Sequence, residues 1–473
     1  MRLRLLPLVL LAACTAIGPD YKRAAVELPA QYPEPSAAEG AAVAADWWRL
    51  YSDATLDELV ASGQKTNADM RLAAARVQEA EGALREARAA FWPDVTAGYS
   101  FNRSRVSASG VPPPPAGTIM RPSHQLLAST NFELDFWGRF ARGSEAARAN
   151  LLGSQLGQDV VALTLAGGIA QAYFALRSLD AQIAVLENSI RVRRDSLDIA
   201  KARLDAGLAS ELDVYQAQGA LSDALVQKRD AERSRALIEH QLAQLTGRLD
   251  LKLPSNKLAG DLFALPLVPV PPAGLPSALL DRRPDIRQAE ENLVAANAQI
   301  GIARAALFPA VSLTAGAGVQ SGELDTLLTS GARIWSLGFG LALPIFDAGR
   351  REARVDQARA RREQAVAGYQ RAVETGFREV ADALVNVEQS GDSEAELKQR
   401  LDAARAALEL STLRYEKGYS PYLEVLDAQR NANDAELAYV RNRQARLAFS
   451  VDLMKALGGG WNSGTEPELR KQR

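Results

Sequence analysis

The chain has 473 residues, of which 47% are hydrophobic and 24% charged, and its 55 basic and 57 acidic side chains leave a formal net charge of −2. That balance supplies no basic excess for nucleic-acid binding. Two histidines, His124 and His240, and one cysteine, Cys14, exclude an internal disulfide and leave no His/Cys cluster for a metal. No cofactor is expected. No Gly-rich phosphate loop or nucleophile motif points to an enzyme.

Residues 1–13 read as a secretory signal. Arg2 and Arg4 precede the short apolar run Leu5 to Leu11, and Leu11-Ala12-Ala13-Cys14 closes it. The quartet resembles a lipobox, which makes Cys14 the expected lipidation site and 14–56 a lipidated, extended N-terminal segment. Thr15 follows the cysteine, where an Asp would resemble an inner-membrane retention signal. No later segment reads as a transmembrane helix; the best candidate, Val160 to Ala170, falls short of the roughly 20 residues a bilayer requires. A membrane could then be spanned only by a closed barrel.

The remainder is one unit written twice. Asp69-Met70-Arg71 matches Asp285-Ile286-Arg287 at an offset of 216, and Arg203 to Gln218 matches Arg414 to Gln429 at an offset of 211. Residues 57–260 and 277–459 form the copies, 261–276 is a proline-rich linker, and 460–473 is a tail. Each copy reads as helix, strand, loop, strand, very long helix, turn and returning helix. Strands are expected at about 94–106, 123–137, 309–320 and 332–346, each with an apolar, partly aromatic face opposite a small or polar one. Their length suits tilted membrane staves. Four strands cannot close a barrel alone, so copies of the chain must pool them.

The long helices run without proline from Arg139 to Asp205 and from Arg350 to Glu416. At 1.5 Å per residue each extends on the order of 100 Å. Ile169, Leu176, Ile183, Ile190, Leu197 and Leu204 recur every seven residues in the first. Val366, Val373, Val380, Val387, Leu401, Leu408 and Tyr415 keep the same interval in the second, missing only at Glu394. A sustained 3.5-residue period specifies coiled-coil packing.

The ordered set of motifs resembles the TolC-type outer membrane factors, in the lipidated NodT/OprM-like branch. Its carriers are Cys14, Asp46-Trp47-Trp48-Arg49-Leu50-Tyr51 with Leu56 and Leu59, the corners Asp135-Phe136-Trp137-Gly138-Arg139 and Pro344 to Arg350, Arg414-Tyr415-Glu416-Lys417-Gly418, and Leu423 to Gln429. The resemblance implies a mainly α fold with a membrane β-barrel portion. It implies a homotrimer whose twelve-stranded barrel, four strands per protomer, stands on a TolC-like α-barrel of long helices. It further implies an outer-membrane location with periplasmic extension. The implied partners are a periplasmic membrane-fusion adaptor, an inner-membrane RND-type transporter and outer-membrane lipid. The implied role is passive exit of drugs or toxic compounds. A type I protein secretion duct and a lipid-anchored periplasmic coiled-coil scaffold are the alternatives.

Gly207 and Gly418 interrupt the long helices at equivalent points, so Gly207, Leu208, Gly418 and Tyr419 are candidate adaptor-contact tips. Glu424 and Asp427, three residues apart on one helix face, occupy positions where the family carries acidic rings that narrow the periplasmic mouth. Asp213 and Tyr415 are candidates to join that constriction. Ser420 stands where the family pattern has a latch arginine.

Overall fold

The structure, a computed structural model, describes residues 16–29, 31–33, 43–109, 115, 119–255, 277 and 279–459. Cys14, the leader, the linker 261–276 and the tail 460–473 lie outside the described residues. In chain order a short 3-10 helix (Trp47–Tyr51) precedes α1 (Ala54–Thr66), α2 (Ala68–Ala89), β1 (Val95–Arg105), β2 (Met120–Leu134), α3 (Arg139–Asp205) and α4 (Glu211–Thr246). Then come α5 (Leu279–Arg282), α6 (Pro284–Ala305), β3 (Ala310–Ser321), β4 (Arg333–Ala342), α7 (Arg350–Glu416) and α8 (Tyr422–Ala456). The segment expected to be extended up to residue 56 thus contains a helical turn and the start of α1. Asp53 caps α1, its side chain accepting the Thr55 and Leu56 amides.

Two compact units divide the chain. The first holds the sheet, in the antiparallel order β1-β2-β3-β4. Register places Ala97, Ala128, Ala317 and Trp335 in one transverse row. Strand residues alternate between faces, so one face gathers the apolar and aromatic side chains. The other carries Thr96, Ser100, Ser129, Asn131, Ser312, Thr314 and glycines. The apolar face is open in the single chain: Trp335 is 81% exposed and Phe339 70%. β1 and β4 are edges, each paired on one side only.

β2 ends at Leu134, before the expected 137, although the apolar alternation continues to Phe136. The Asp135 carboxylate accepts the Phe140 and Ala141 amides at 2.9 and 3.0 Å and so caps α3. Gly138, at φ +73°, makes the corner. Trp137 stacks on Phe308 at 4.8 Å and donates its indole N–H to the Pro309 carbonyl. β4 likewise stops at Ala342, short of the expected 346, and Pro344 beyond it has no amide to extend the ladder.

The second unit contains most of the long helices. α3 and α7 are 67 residues each. Several of the seven-residue positions are fully buried, among them Ile169, Leu176, Val380 and Leu401. Trp47, Tyr51, Leu56 and Leu59 pack with Ile169, Phe174, Leu242, Val451 and Met454 in one core, and the Tyr51 hydroxyl meets Ser450 Oγ at 2.5 Å. Glu394, the missing beat, accepts from Arg443 Nη1 at 2.6 Å and from the Tyr439 hydroxyl at 3.2 Å, and it also pairs with Arg446. One expectation is corrected here: α3 contains a stretch long and apolar enough to cross a membrane, half of it buried within the chain. Gln171 is polar but uncharged, and apolar residues resume from Ala172 to Leu176, so the run does not stop at Ala170.

Candidate channel mouth

The two turns that join α3 to α4 and α7 to α8 are built alike. In the first, Gly207 takes φ +72°, its amide donates to the Leu204 carbonyl, and the Leu208 amide donates to the Arg203 carbonyl. In the second, Gly418 takes φ +81°, its amide donates to Tyr415, and the Tyr419 amide donates to Arg414. Both are Schellman closures, in which a left-handed residue lets the last carbonyls find donors. Leu208 and Tyr419 follow the glycines and are 70% and 79% exposed. Leu212, Tyr215 and Leu423 are also exposed beside them.

Behind the turns the two helical hairpins pack on each other through Leu197, Ala200, Ala217, Ala220, Tyr415, Tyr422, Val425 and Leu426. Arg203 crosses between them. Its Nη1 donates to the Tyr415 carbonyl at 2.6 Å, and its guanidinium lies 4.6 Å from the centroid of the Tyr415 ring. The Tyr415 and Tyr422 rings are 5.5 Å apart. Burial raises the pKa of the Tyr415 phenol, with Arg203 opposing and Asp213 reinforcing the shift. Burial pushes Tyr422 up to about 12. Both phenols stay neutral at physiological pH.

The sequence-derived candidates fall into two groups. Glu424 and Asp427 are both exposed on α8, and their spacing puts them on one face. Glu424 is paired with Arg414 at 3.3 Å, and Asp427 accepts from Asn431 at 3.0 Å. Tyr415 is buried rather than aligned with them, and Asp213 is half-buried. No hydrogen bond joins Tyr415 to Asp213: the Tyr415 hydroxyl, the Tyr422 hydroxyl and Ser420 Oγ have no partner among the described residues. The sequence reading missed Arg203 and Tyr422. Arg203 could have been found from the duplication, because it is the counterpart of Arg414 in the matched segments. Among the described residues no three His, Cys, Asp or Glu side chains gather as a metal site.

Comparison with known proteins bears on this geometry. The outer membrane efflux protein family model matches residues 59–248 and 275–459, one stretch in each copy. The chain is 34% identical over 481 residues to the toluene efflux pump outer membrane protein TtgF of Pseudomonas putida, covering 98% of each. It is 34% identical over 468 residues to the cation efflux system protein CusC of Escherichia coli, covering 97% of this chain and 99% of that one. A solved structure of CusC superposes with a TM-score of 0.85 at 30% identity, over 94% of this chain and all of the other.

Proposed function

Because the chain belongs to the outer membrane efflux protein family, we propose that three copies pool their sheets into one closed barrel and their long helices into one periplasmic tube. The protein is an outer-membrane channel component of an efflux pump, with the TolC-like fold. The observation that carries the trimeric reading is the sheet itself. It has four strands, an open apolar face and two edges, β1 and β4, each paired on one side only. Unpaired edge amides are prohibitive in hydrocarbon, and only closure by neighbouring copies removes them. Twelve pooled strands lie within the range of membrane barrels.

In this reading Cys14 carries a lipid, and the first and second repeats, 57–260 and 277–459, each supply two strands and one helical hairpin. Gly207, Leu208, Gly418 and Tyr419 present the tips to a membrane-fusion adaptor, itself joined to an RND-type transporter. The exposed Leu208, Leu212, Tyr215, Tyr419 and Leu423 offer the apolar surface such a contact uses. Glu424 and Asp427 from three copies form a cation-selective constriction, with Arg203, Tyr415 and Asp213 in the wall behind it. The duct is passive and not an enzyme, and selection rests with the transporter. Relatives named for toluene and cation efflux favour small toxic compounds over secreted proteins as cargo. Purified protein reconstituted in a planar bilayer should give trimers and discrete conductance steps. Protein that remains monomeric in lipid and opens no pore would overturn this function.

A further inference from the structure

The open face of the sheet carries an asymmetry that closure of a barrel does not require. Its outward positions, followed through the register, hold three charged residues: Arg103, Arg105 and Arg333. None is acidic. All three lie toward the β1–β2 and β3–β4 turns, away from the ends that lead into helices. Arg333 shares a transverse row with Tyr99, through Val319 and Leu126; the row beyond holds His124, and Arg103 and Arg105 follow. From the Ala128 row down β2 to Leu134, the outward positions carry no charge. Tilted strand residues over that length span about 15 Å of depth, the larger part of the apolar band of an outer-membrane barrel. The arginines therefore sit where hydrocarbon gives way to headgroups on the turn side. Aromatic anchors mark the same level: the Tyr99 hydroxyl meets His124 Nδ1 at 2.8 Å, and Trp335 lies one row below Arg333.

Resting on the trimeric barrel reading, we propose that Arg103, Arg105 and Arg333 form a binding site for phosphate-bearing lipid headgroups of the outer leaflet. β1 and β4 are the two edges of the sheet, so closure sets Arg333 of one protomer beside the edge that carries Arg103 and Arg105 of the next. Like charges on neighbouring strands repel, and a headgroup phosphate between them removes that penalty. The planar guanidinium matches phosphate oxygens in pairs. All three side chains are exposed. The carboxylates Glu323 and Asp325 belong to the turn beyond the strands rather than to the outward face.

The test uses the detergent-solubilised trimer and native mass spectrometry. Diphosphorylated lipid A and its enzymatically dephosphorylated form are offered to the wild type and to the R103Q/R105Q/R333Q variant. The wild type should retain the phosphorylated lipid, and the variant should bind it at least roughly tenfold more weakly. Equal retention of the two lipids by the wild type overturns the proposal without recourse to any variant. Unchanged binding by the variant overturns it as well, and so does complete displacement by excess inorganic pyrophosphate, which marks a site for free phosphate. Conductance on the same samples separates the two levels. Wild type that forms no pore strikes the barrel reading and this inference together, whereas intact pores without lipid discrimination strike the inference alone.

Discussion

Arg203 of the first copy grips the backbone of Tyr415 in the second, while its own counterpart, Arg414, pairs instead with Glu424. Sequence duplication has not produced duplicate contacts. The hairpin ends are tied unlike at the two arginines: the α3–α4 hairpin holds the α7–α8 hairpin through the Tyr415 carbonyl and ring face, while Gln429 of α8 donates back to Ser196 Oγ of α3 at 2.8 Å.

Removing that tie should loosen the mouth. Arg203→Gln loses a charge-assisted hydrogen bond and a cation–π contact, together about 2 kcal/mol of attraction between the hairpins. Single-channel recordings should show a higher basal conductance or more frequent openings. Conductance identical to the wild type would show that Arg203 does not restrain the mouth.

The carboxylates define a separate experiment. Glu424→Ala with Asp427→Ala should raise single-channel conductance and weaken block by divalent cations, because exposed carboxylates gathered about one axis attract cations. Unchanged conductance and block would remove the constriction while leaving the fold intact.

Glu394 tests the helical core rather than the mouth. Its carboxylate is held by Arg443 and Arg446 at a coiled-coil position, with Arg443 itself 7% exposed. Glu394→Ala removes the carboxylate that Arg443 and Arg446 share and should cost about 3 kcal/mol, read as a lowered thermal or denaturant midpoint. Arg443→Leu placed on the same variant should recover part of the loss. An additive double mutant would show that the two side chains are not coupled.

Two glycines on the polar face of the sheet separate backbone crowding from side-chain loss. A Cβ at Gly318 would collide with the Leu126 carbonyl oxygen, whereas at Gly98 it meets nothing within 4 Å. Gly318→Ala should abolish heat-resistant oligomers, and Gly98→Ala should leave them intact. Equal behaviour of the two variants would contradict the β2–β3 register.

Much of this architecture was legible because periodicity is a direct imprint of geometry. The seven-residue spacing of Ile169, Leu176, Val380 and Leu401 reports a helix seam, and the alternation through Val95, Ala97, Tyr99 and Phe101 reports a two-faced strand. The end of β2 was less legible: Asp135 interrupts the ladder by capping α3, yet Phe136 keeps the alternation going in the sequence. The run in α3 was cut short at Gln171, a polar residue without charge. Arg203 and Arg414 show a different limit. Their local sequences match, so their divergent partners arise from which hairpin lies alongside, a property of tertiary packing alone. Glu424 and Asp427 were placed on one face by spacing, and the seven-residue interval already put Tyr415 in the helix seam, where it is buried.

The glycines on the polar face of β3 and β4 have a consequence for cargo. At Gly316, Gly318, Gly338 and Gly340 the residue adds no side chain to the wall; β3 is paired on both sides within the chain, and closure of the barrel pairs the free side of β4. That half of the lining offers a passing solute no charge and no ring, only main chain, small side chains and the hydroxyls of Ser312, Thr314 and Ser336. Compounds as unlike as an aromatic hydrocarbon and a hydrated ion would meet the same indifferent corridor there, so this stretch of the route imposes little chemical sorting on what leaves.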